Sequence, residues 1–216
     1  MDLEQARFNM VEQQIRPWDV LDPAVLDLLY TVRREDFVPL AYRELAFADV
    51  EIPLGGGEAM WPPRLEARVL QELDLTGGDS VLEIGTGSGY LTALLASLAG
   101  PVTSVEIRPD LARDAAAKLR RAGFDQVDVR TGDGARGFGS DTYDAIVLTG
   151  STPELDDAFR RQLKPGGRLF AIVGNEPAMT ARIVRLDAPG AFVETSLFET
   201  VVRPLVNAPA PARFRF

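Results

Sequence analysis

Hydrophobic residues in the first third of the chain recur at helical spacing. Within residues 3–15, apolar side chains lie three or four positions apart, which predicts a short helix that ends before the first proline. Asp22 is a typical N-cap and Pro23 suits the first helical position, so a second helix is predicted to run to about Arg33. From residue 37 to residue 57, prolines and a run of three glycines predict loop and extended segments.

After residue 62, short apolar runs alternate with segments of helical period. A helix beginning near Leu65 is predicted to end at Gly77. Strands are then predicted at 80–84, 102–105, 127–130, 145–149 and 168–173, and helices at 90–98, 110–121 and 153–163. This alternation is typical of a parallel sheet with helices on both faces. Two more apolar runs, at 180–186 and 191–205, predict a terminal hairpin, so we expect an α/β fold with a mostly parallel seven-stranded sheet.

The chain is long enough for one domain with a sizeable core. A protein of 216 residues buries roughly 70% of the surface that its unfolded chain exposes. We interpret residues 1–216 as a single domain. Residues 1–62 form a helical cap and a loop, residues 63–206 a Rossmann-like core, and residues 207–216 a tail.

Composition excludes several kinds of site and partner. The net charge of −9 argues against nucleic acid, which is bound mainly through clustered Lys and Arg. The chain has no His and no Cys, which excludes imidazole bases, thiol nucleophiles and the usual zinc sites, and we expect no metal. The apolar run at 91–99 is far shorter than the roughly 20 residues of a membrane span. The first ten residues do not resemble a secretory signal, so we expect a cytoplasmic protein without a membrane partner.

A glycine motif follows the first predicted strand of the core. Gly85, Gly87 and Gly89 alternate between an apolar strand and a helix, where glycine permits a tight turn and a close approach of the backbone to a ligand. The dinucleotide fingerprint would have its third glycine at position 90, where this chain has Tyr90. The spacing therefore argues against a nicotinamide cofactor.

Three acidic residues stand at the ends of three successive predicted strands. Glu83 suits the ammonium of an amino acid, and Glu106 follows the first glycine at the spacing of a ribose-hydroxyl acceptor. Asp133, in a Gly-Asp-Gly sequence, is placed to reach an adenine amino group. Each feature alone could be a simple turn or a helix cap, but their joint placement predicts a site for S-adenosylmethionine, with S-adenosylhomocysteine as the product.

The whole chain resembles the protein-L-isoaspartate O-methyltransferases. The block MVEQQIRP at 10–17 is more specific to that family than the glycine motif. The other matching stretches are REDFVP at 34–39, AY at 41–42, VLEIGTGSGY at 81–90, SVE at 104–106, GDG at 132–134, YDAI at 143–146 and VRPL at 202–205.

The resemblance implies a class I S-adenosylmethionine-dependent methyltransferase with a protein-repair activity. Its reaction is methyl transfer to the free carboxylate of an isoaspartyl residue in a damaged peptide or protein. Because a carboxylate is ionised near neutral pH, the missing histidine is no obstacle to this chemistry. The resemblance also implies a set of cofactor-binding residues, namely Met60, Glu83, Gly85, Thr86, Gly87, Ser88, Gly89, Glu106, Asp133 and Gly134.

The segment that matches the family's substrate loop departs from the family pattern. The family has a threonine and a serine there, whose hydroxyls hold the substrate carboxylate, and this chain has Ala59 and Trp61 at those positions. The substrate loop therefore reads Glu58, Ala59, Met60 and Trp61, and no catalytic residue can be assigned. Glu58 adds a negative charge that would repel an anionic substrate unless its side chain points away.

Two interpretations of this loop remain open. In one, Met60 and Trp61 wall an altered pocket for a small or apolar acceptor. In the other, Trp61 is a core residue and methyl transfer is weak or lost. Isoaspartyl carboxyl methylation is the first hypothesis. The alternatives are a methyltransferase for another small molecule and a non-catalytic cofactor-binding protein, while nucleic-acid methylation ranks last. A monomer is the default expectation.

Overall fold

The computed structural model describes residues 2–209 of the chain. The α-helices in this range are α1 (Leu3–Met10), α2 (Pro23–Thr31), α3 (Pro63–Leu73), α4 (Tyr90–Leu98), α5 (Pro109–Arg121) and α6 (Asp157–Arg161). The strands are β1 (Ile52–Gly55), β2 (Glu58–Met60), β3 (Val81–Ile84), β4 (Val102–Glu106), β5 (Asp128–Thr131), β6 (Tyr143–Thr152), β7 (Leu163–Asn175), β8 (Ala178–Ala188) and β9 (Ala191–Glu199). No helix among residues 2–209 is both long and apolar enough to cross a bilayer.

Seven strands form one sheet in the order β5-β4-β3-β6-β7-β8-β9. The five strands from β5 to β7 are parallel, and β8 runs antiparallel to both β7 and β9. In the pairing register, Ile84 at the end of β3 lies opposite Val105 on one side and Leu148 on the other. The predicted α/β fold with a mostly parallel seven-stranded sheet is confirmed, and the carboxyl ends of three strands meet at one edge.

Alternate residues of the central strands pack into two separate hydrophobic clusters. Val81 and Val147 belong to the cluster that contains α3 and α4, while Leu82 and Ile146 belong to the cluster that contains Phe159 of α6. Because successive side chains of a strand point to opposite faces, continuous apolar runs in β3 and β6 are expected when helices cover both sides. The central strands are accordingly buried along their length.

The N-terminal residues pack on the same cluster as α3 and α4. After α1, the chain continues through a π-helical turn at Val11–Ile15 and a 3-10 turn at Arg16–Trp18. Val11 and Ile15 are fully buried in that cluster. The first predicted helix is therefore confirmed as far as Pro17. Its winding changes after Met10, from α-helical to π-helical and then to 3-10.

The structure corrects several predicted elements. An antiparallel hairpin of β1 and β2 occupies the end of the segment 37–57, which was expected to be loop and extended, and continues through residues 58–60 of the substrate loop. The helix predicted at 153–163 is only α6, because Asp156 caps its start by accepting a hydrogen bond from Ala158 N (2.8 Å) and β7 begins at Leu163. The last predicted strand, 191–205, ends at Glu199. Most of the predicted tail, residues 210–216, lies outside the described part of the chain.

A buried ion pair connects the N-terminal residues to α3. The Arg34 guanidinium is bonded to the carboxylate of Glu66 and also donates to the carbonyls of Ala46 (2.9 Å) and Trp61 (2.6 Å). Its carbon Cζ lies 4.9 Å from the centroid of the Tyr90 ring. The Glu66 carboxylate and the two carbonyls are buried away from water. The Arg34 guanidinium is therefore needed as their hydrogen-bond donor.

We expect the substitution Arg34→Met to lower the free energy of unfolding by about 3–5 kcal/mol, because it leaves a buried carboxylate without its partner. Chemical denaturation would measure the loss. The matched control is Arg16→Met, whose pair with Glu12 (3.0 Å) is partly exposed and should contribute less than about 1 kcal/mol. Equal losses for the two variants would contradict this account of the buried pair.

Candidate active-site cleft

A cleft of about 720 Å³, part of it open to solvent, lies at the carboxyl ends of β3, β4 and β6. Open parallel sheets generally bind ligands at this edge. The residues that line the cleft are Glu51, Leu54, Glu58, Ala59, Trp61, Ile84, Gly85, Gly87, Val105, Glu106, Ile107, Leu111, Gly132, Asp133, Gly134, Ala135, Thr149, Gly150, Arg203, Pro204, Leu205 and Val206. In the part of the chain that the structure describes, no cluster of three or more acidic side chains is placed to hold a metal ion.

The floor of the cleft is the turn from β3 into α4. Gly85 has φ +101°, in the region that favours glycine, and a Cβ atom there would lie 2.1 Å from Thr149 Oγ1. That hydroxyl donates to the carbonyls of Ile84 (2.9 Å) and Gly85 (2.7 Å). The turn and β6 are therefore in direct contact, and a side chain at position 85 would separate them.

Glu106 supports the glycine turn from the neighbouring strand. One carboxylate oxygen accepts a hydrogen bond from Gly87 N (2.9 Å) and the other accepts one from Arg108 N (3.0 Å). The side chain is buried apart from its contact with the cleft. The carboxylate is thus held rigidly at the cleft wall by two backbone donors.

Asp133 lines the cleft one strand further along the sheet. Its Oδ1 accepts from Ala135 N (3.0 Å), and its Oδ2 accepts from the side-chain amide of Asn207 (2.9 Å). The second bond connects this loop to the C-terminal segment. A ligand group that donates to Oδ2 therefore either shares this oxygen with the Asn207 amide or displaces the amide.

Glu83 is fully buried beside the cleft. Its Oε2 accepts hydrogen bonds from Thr92 Oγ1 (2.5 Å) and Ser104 Oγ (2.6 Å), whereas its Oε1 has no hydrogen-bond partner among the described residues. Burial raises the pKa of Glu83 to about 8, although the two hydroxyl donors lower it. A buried carboxyl oxygen without a partner costs free energy unless a ligand or a proton satisfies it.

A second pocket of about 330 Å³, part of it open to solvent and here called the inner pocket, adjoins the cleft. It is lined by Ala59, Met60, Trp61, Glu66, Glu83, Gly85, Thr86, Gly87, Ser88, Leu91 and Thr149. Burial also raises the pKa of Glu66, to about 7, against the attraction of Arg34. Two carboxyl groups and several apolar side chains therefore face the same small space.

The substrate loop separates the cleft from the inner pocket. Ala59 and Trp61 line both spaces, and the Trp61 side chain is only 7% exposed. Its carbonyl accepts from Arg34, which fixes the loop to the core. Trp61 is thus a core residue and a pocket wall at once, so the two sequence interpretations of this residue do not exclude each other.

Glu58 is paired rather than free. Its carboxylate lies 2.9 Å from Nε of Arg108, which also donates to the carbonyl of Gly56 (2.6 Å). The negative charge is therefore partly neutralised at the tip of the β1–β2 hairpin. This contact reduces the repulsion that Glu58 would exert on an anionic acceptor.

The predicted site residues largely come together. Each of the cofactor-binding and loop residues proposed from the sequence lines the cleft or the inner pocket, except Gly89. Gly89 instead precedes α4 and packs against Ala115 of α5. Sequence reasoning missed Glu66, Thr149 and Arg203, although Arg203 lies within a motif that matches the family.

Comparison with known proteins gives a consistent result. The model of the family described as protein-L-isoaspartate(D-aspartate) O-methyltransferase (PCMT) matches residues 5–209. The chain is 44% identical over 181 residues to protein-L-isoaspartate O-methyltransferase 1 of Rhodopseudomonas palustris strain HaA2, covering 83% of this chain and 74% of that protein. It is 36% identical over 209 residues to protein-L-isoaspartate O-methyltransferase of Brucella anthropi, covering 95% of both.

Solved structures agree with this result. A structure of a protein-L-isoaspartate O-methyltransferase superposes with a TM-score of 0.77 at 25% identity, over 93% of this chain and 65% of that one. A Plasmodium falciparum β-aspartate methyltransferase in complex with S-adenosylhomocysteine has a TM-score of 0.80 over 94% of this chain and 97% of its own, and at 17% identity it shows the shared fold alone. The chain belongs to the protein-L-isoaspartate(D-aspartate) O-methyltransferase family.

Proposed function

We propose that the protein is an S-adenosylmethionine-dependent methyltransferase that esterifies the free carboxylate of isoaspartyl residues in peptides and proteins. The observation that carries the proposal is the joint placement of the glycine turn, Glu106 and Asp133 around one cleft in a chain of this family. A cytoplasmic location accompanies the proposal and stays a prediction.

The cleft fits an adenosyl amino acid. Gly85 lacks the Cβ atom that would collide with Thr149 Oγ1, so the backbone of the glycine turn lies directly on β6 and forms the floor of the cleft. In the proposed arrangement, Glu106 accepts from the ribose hydroxyls and Asp133 from the adenine amino group. The Oε1 of Glu83, which is fully buried and has no hydrogen-bond partner in the described part of the chain, accepts from the ligand's ammonium in this arrangement.

Methyl transfer to a carboxylate places few demands on the protein side chains. The bound cofactor supplies an electrophilic methyl group on a positively charged sulfur. The acceptor carboxylate is ionised near neutral pH, so the protein has to position and desolvate it rather than deprotonate it. Ala59, Met60 and Trp61 line the inner pocket, and an acceptor that binds against this wall loses part of its hydration, which favours a reaction that neutralises opposite charges.

A second candidate function is methyl transfer to a small apolar acceptor. The specific observation in its favour is the inner pocket, where Met60, Trp61 and Leu91 present apolar surface and the loop lacks hydroxyls. In that case the family scaffold and the cofactor site are retained and only the acceptor differs.

Methylation of an isoaspartyl peptide distinguishes these two functions. Incubation with S-adenosylmethionine labelled on its methyl group and an isoaspartyl peptide should give a base-labile methyl ester on the peptide. The matched aspartyl peptide is the control and should stay unlabelled. Binding of the cofactor without ester formation would contradict isoaspartyl methylation and favour the second candidate.

Replacement of Glu106 should weaken cofactor binding. We expect Glu106→Ala to lower the affinity for S-adenosylhomocysteine by about 1.5–3 kcal/mol, the usual effect of losing a hydrogen bond to a charged group. Isothermal titration calorimetry would measure it. The control is Asp128→Ala on the adjacent strand β5, which removes an exposed carboxylate outside the cleft and should not change the affinity. If the Glu106 variant bound S-adenosylhomocysteine as tightly as the wild type, Glu106 would not be the acceptor of the ribose hydroxyls.

Cofactor binding should depend on pH through Glu83. In the free protein this carboxyl, with its pKa raised to about 8 by burial, holds a proton near neutral pH. Pairing with an ammonium favours the ionised form, so binding releases the proton and becomes stronger as pH rises towards 8.

Between pH 6 and 7.5 the dissociation constant for S-adenosylhomocysteine should fall by up to about tenfold per pH unit. Calorimetry in buffers of different ionisation enthalpy would detect the released proton. Glu83→Gln should bind more weakly and lose this pH dependence. A wild-type affinity that is constant over this range would rule out an ammonium at Glu83.

A further inference from the structure

The charges that line the cleft are unbalanced. Four carboxylates, from Glu51, Glu58, Glu106 and Asp133, line it. Within residues 2–209, the only Lys or Arg side chain among the lining residues is that of Arg203. A carboxylate acceptor therefore enters a predominantly negative space, and like charges disfavour its binding unless a cation compensates.

The substrate loop supplies no such compensation. The two positions at which the family resemblance implies hydroxyl donors are occupied by Ala59 and Trp61. Glu58, in the same loop, carries a negative charge that is paired with Arg108. If the acceptor is a carboxylate, its recognition has to come from a group outside this loop.

Arg203 lies where it can supply that recognition. Its Nη1 donates to the carbonyl of Gly57, next to the first residue of the substrate loop, and its Nε lies 3.7 Å from the Glu51 carboxylate. The side chain is 53% exposed. No hydrogen bond from its Nη2 to any other described residue is formed, so the guanidinium retains donors for a ligand.

The backbone around Arg203 is fixed to the end of β6. Ser151 N donates to the Arg203 carbonyl (2.9 Å), and Leu205 N donates to the Ser151 carbonyl (2.8 Å). The Ser151 hydroxyl adds a bond to the carbonyl of Val202 (3.1 Å). The backbone that carries Arg203 is therefore held against β6, which lowers the entropy that this segment loses when the side chain binds a ligand.

We propose that Arg203 binds the acceptor carboxylate, in a site whose substrate loop provides no hydroxyl donors. The inference rests on the proposed isoaspartyl function and adds a specificity-determining residue to it. A guanidinium presents paired donors that match the two oxygens of a carboxylate, and this fork-to-fork geometry also orients the acceptor.

The test is direct binding of two peptides to the protein in the presence of S-adenosylhomocysteine. One peptide contains isoaspartate, and the other is identical except that the free carboxylate is a carboxamide. Wild type should bind the carboxylate peptide about tenfold or more tightly than the carboxamide peptide, measured by titration calorimetry. Arg203→Gln should lose this preference while its affinity for the carboxamide peptide stays unchanged.

Two further variants control for charge. Arg203→Lys should keep part of the preference, because an ammonium retains the charge and loses the fork. Arg64→Gln removes one positive charge outside the cleft, where Arg64 pairs with Asp49 at 2.9 Å, and should keep the full preference.

The outcomes separate this inference from the proposed function. A wild type that does not prefer the carboxylate, or an Arg203→Gln variant that still does, would overturn the role of Arg203. Equal weakening of both peptides by Arg203→Gln would also overturn it, because it would indicate a structural role in holding the hairpin. A preference that depends on Arg203, without methyl transfer to the peptide, would support the carboxylate site and contradict the isoaspartyl methylation.

Discussion

The absence of a side chain at Gly85 is the constraint on which the site depends. The turn from β3 into α4 touches β6 through the Thr149 hydroxyl, and a Cβ atom at position 85 has no room there. This contact keeps β3, the glycine turn and β6 together. The turn and Thr149 of β6 therefore form one continuous surface at the bottom of the cleft, on which a ligand can lie. Glu106 reinforces the same turn through Gly87.

Buried charge is the second organising feature of the molecule. Arg34 satisfies Glu66 and the carbonyl of Trp61, so the loop beside the cleft is fixed by an interaction that reaches back to the N-terminal residues. Glu83, by contrast, is fully buried and keeps one oxygen that has no hydrogen-bond partner among residues 2–209. The first arrangement stabilises the fold, whereas the second costs stability and is best explained by a ligand that the protein receives.

The sequence predicted the sheet and the glycine turn because both leave strong local signals. Continuous apolar runs such as 145–149 identify buried parallel strands, and Gly85 with its neighbours identifies the turn. It did not predict the β1–β2 hairpin or the position of Arg203 at the cleft. The hairpin strands are too short to show an alternating pattern, and Arg203 reaches the cleft only because its segment pairs with Ser151, 52 positions earlier in the chain. Such contacts depend on tertiary packing, which cannot be predicted from the pattern of neighbouring residues in the sequence.

We infer that three acidic side chains and one glycine turn bind an adenosyl amino acid at this edge of the sheet. A crystal structure of the protein with S-adenosylhomocysteine tests it most directly. In that structure we expect the ribose hydroxyls on Glu106, the adenine beside Asp133 and the ammonium within hydrogen-bond distance of Glu83. A ligand bound elsewhere, or one whose ammonium leaves Oε1 of Glu83 without a partner, would contradict it.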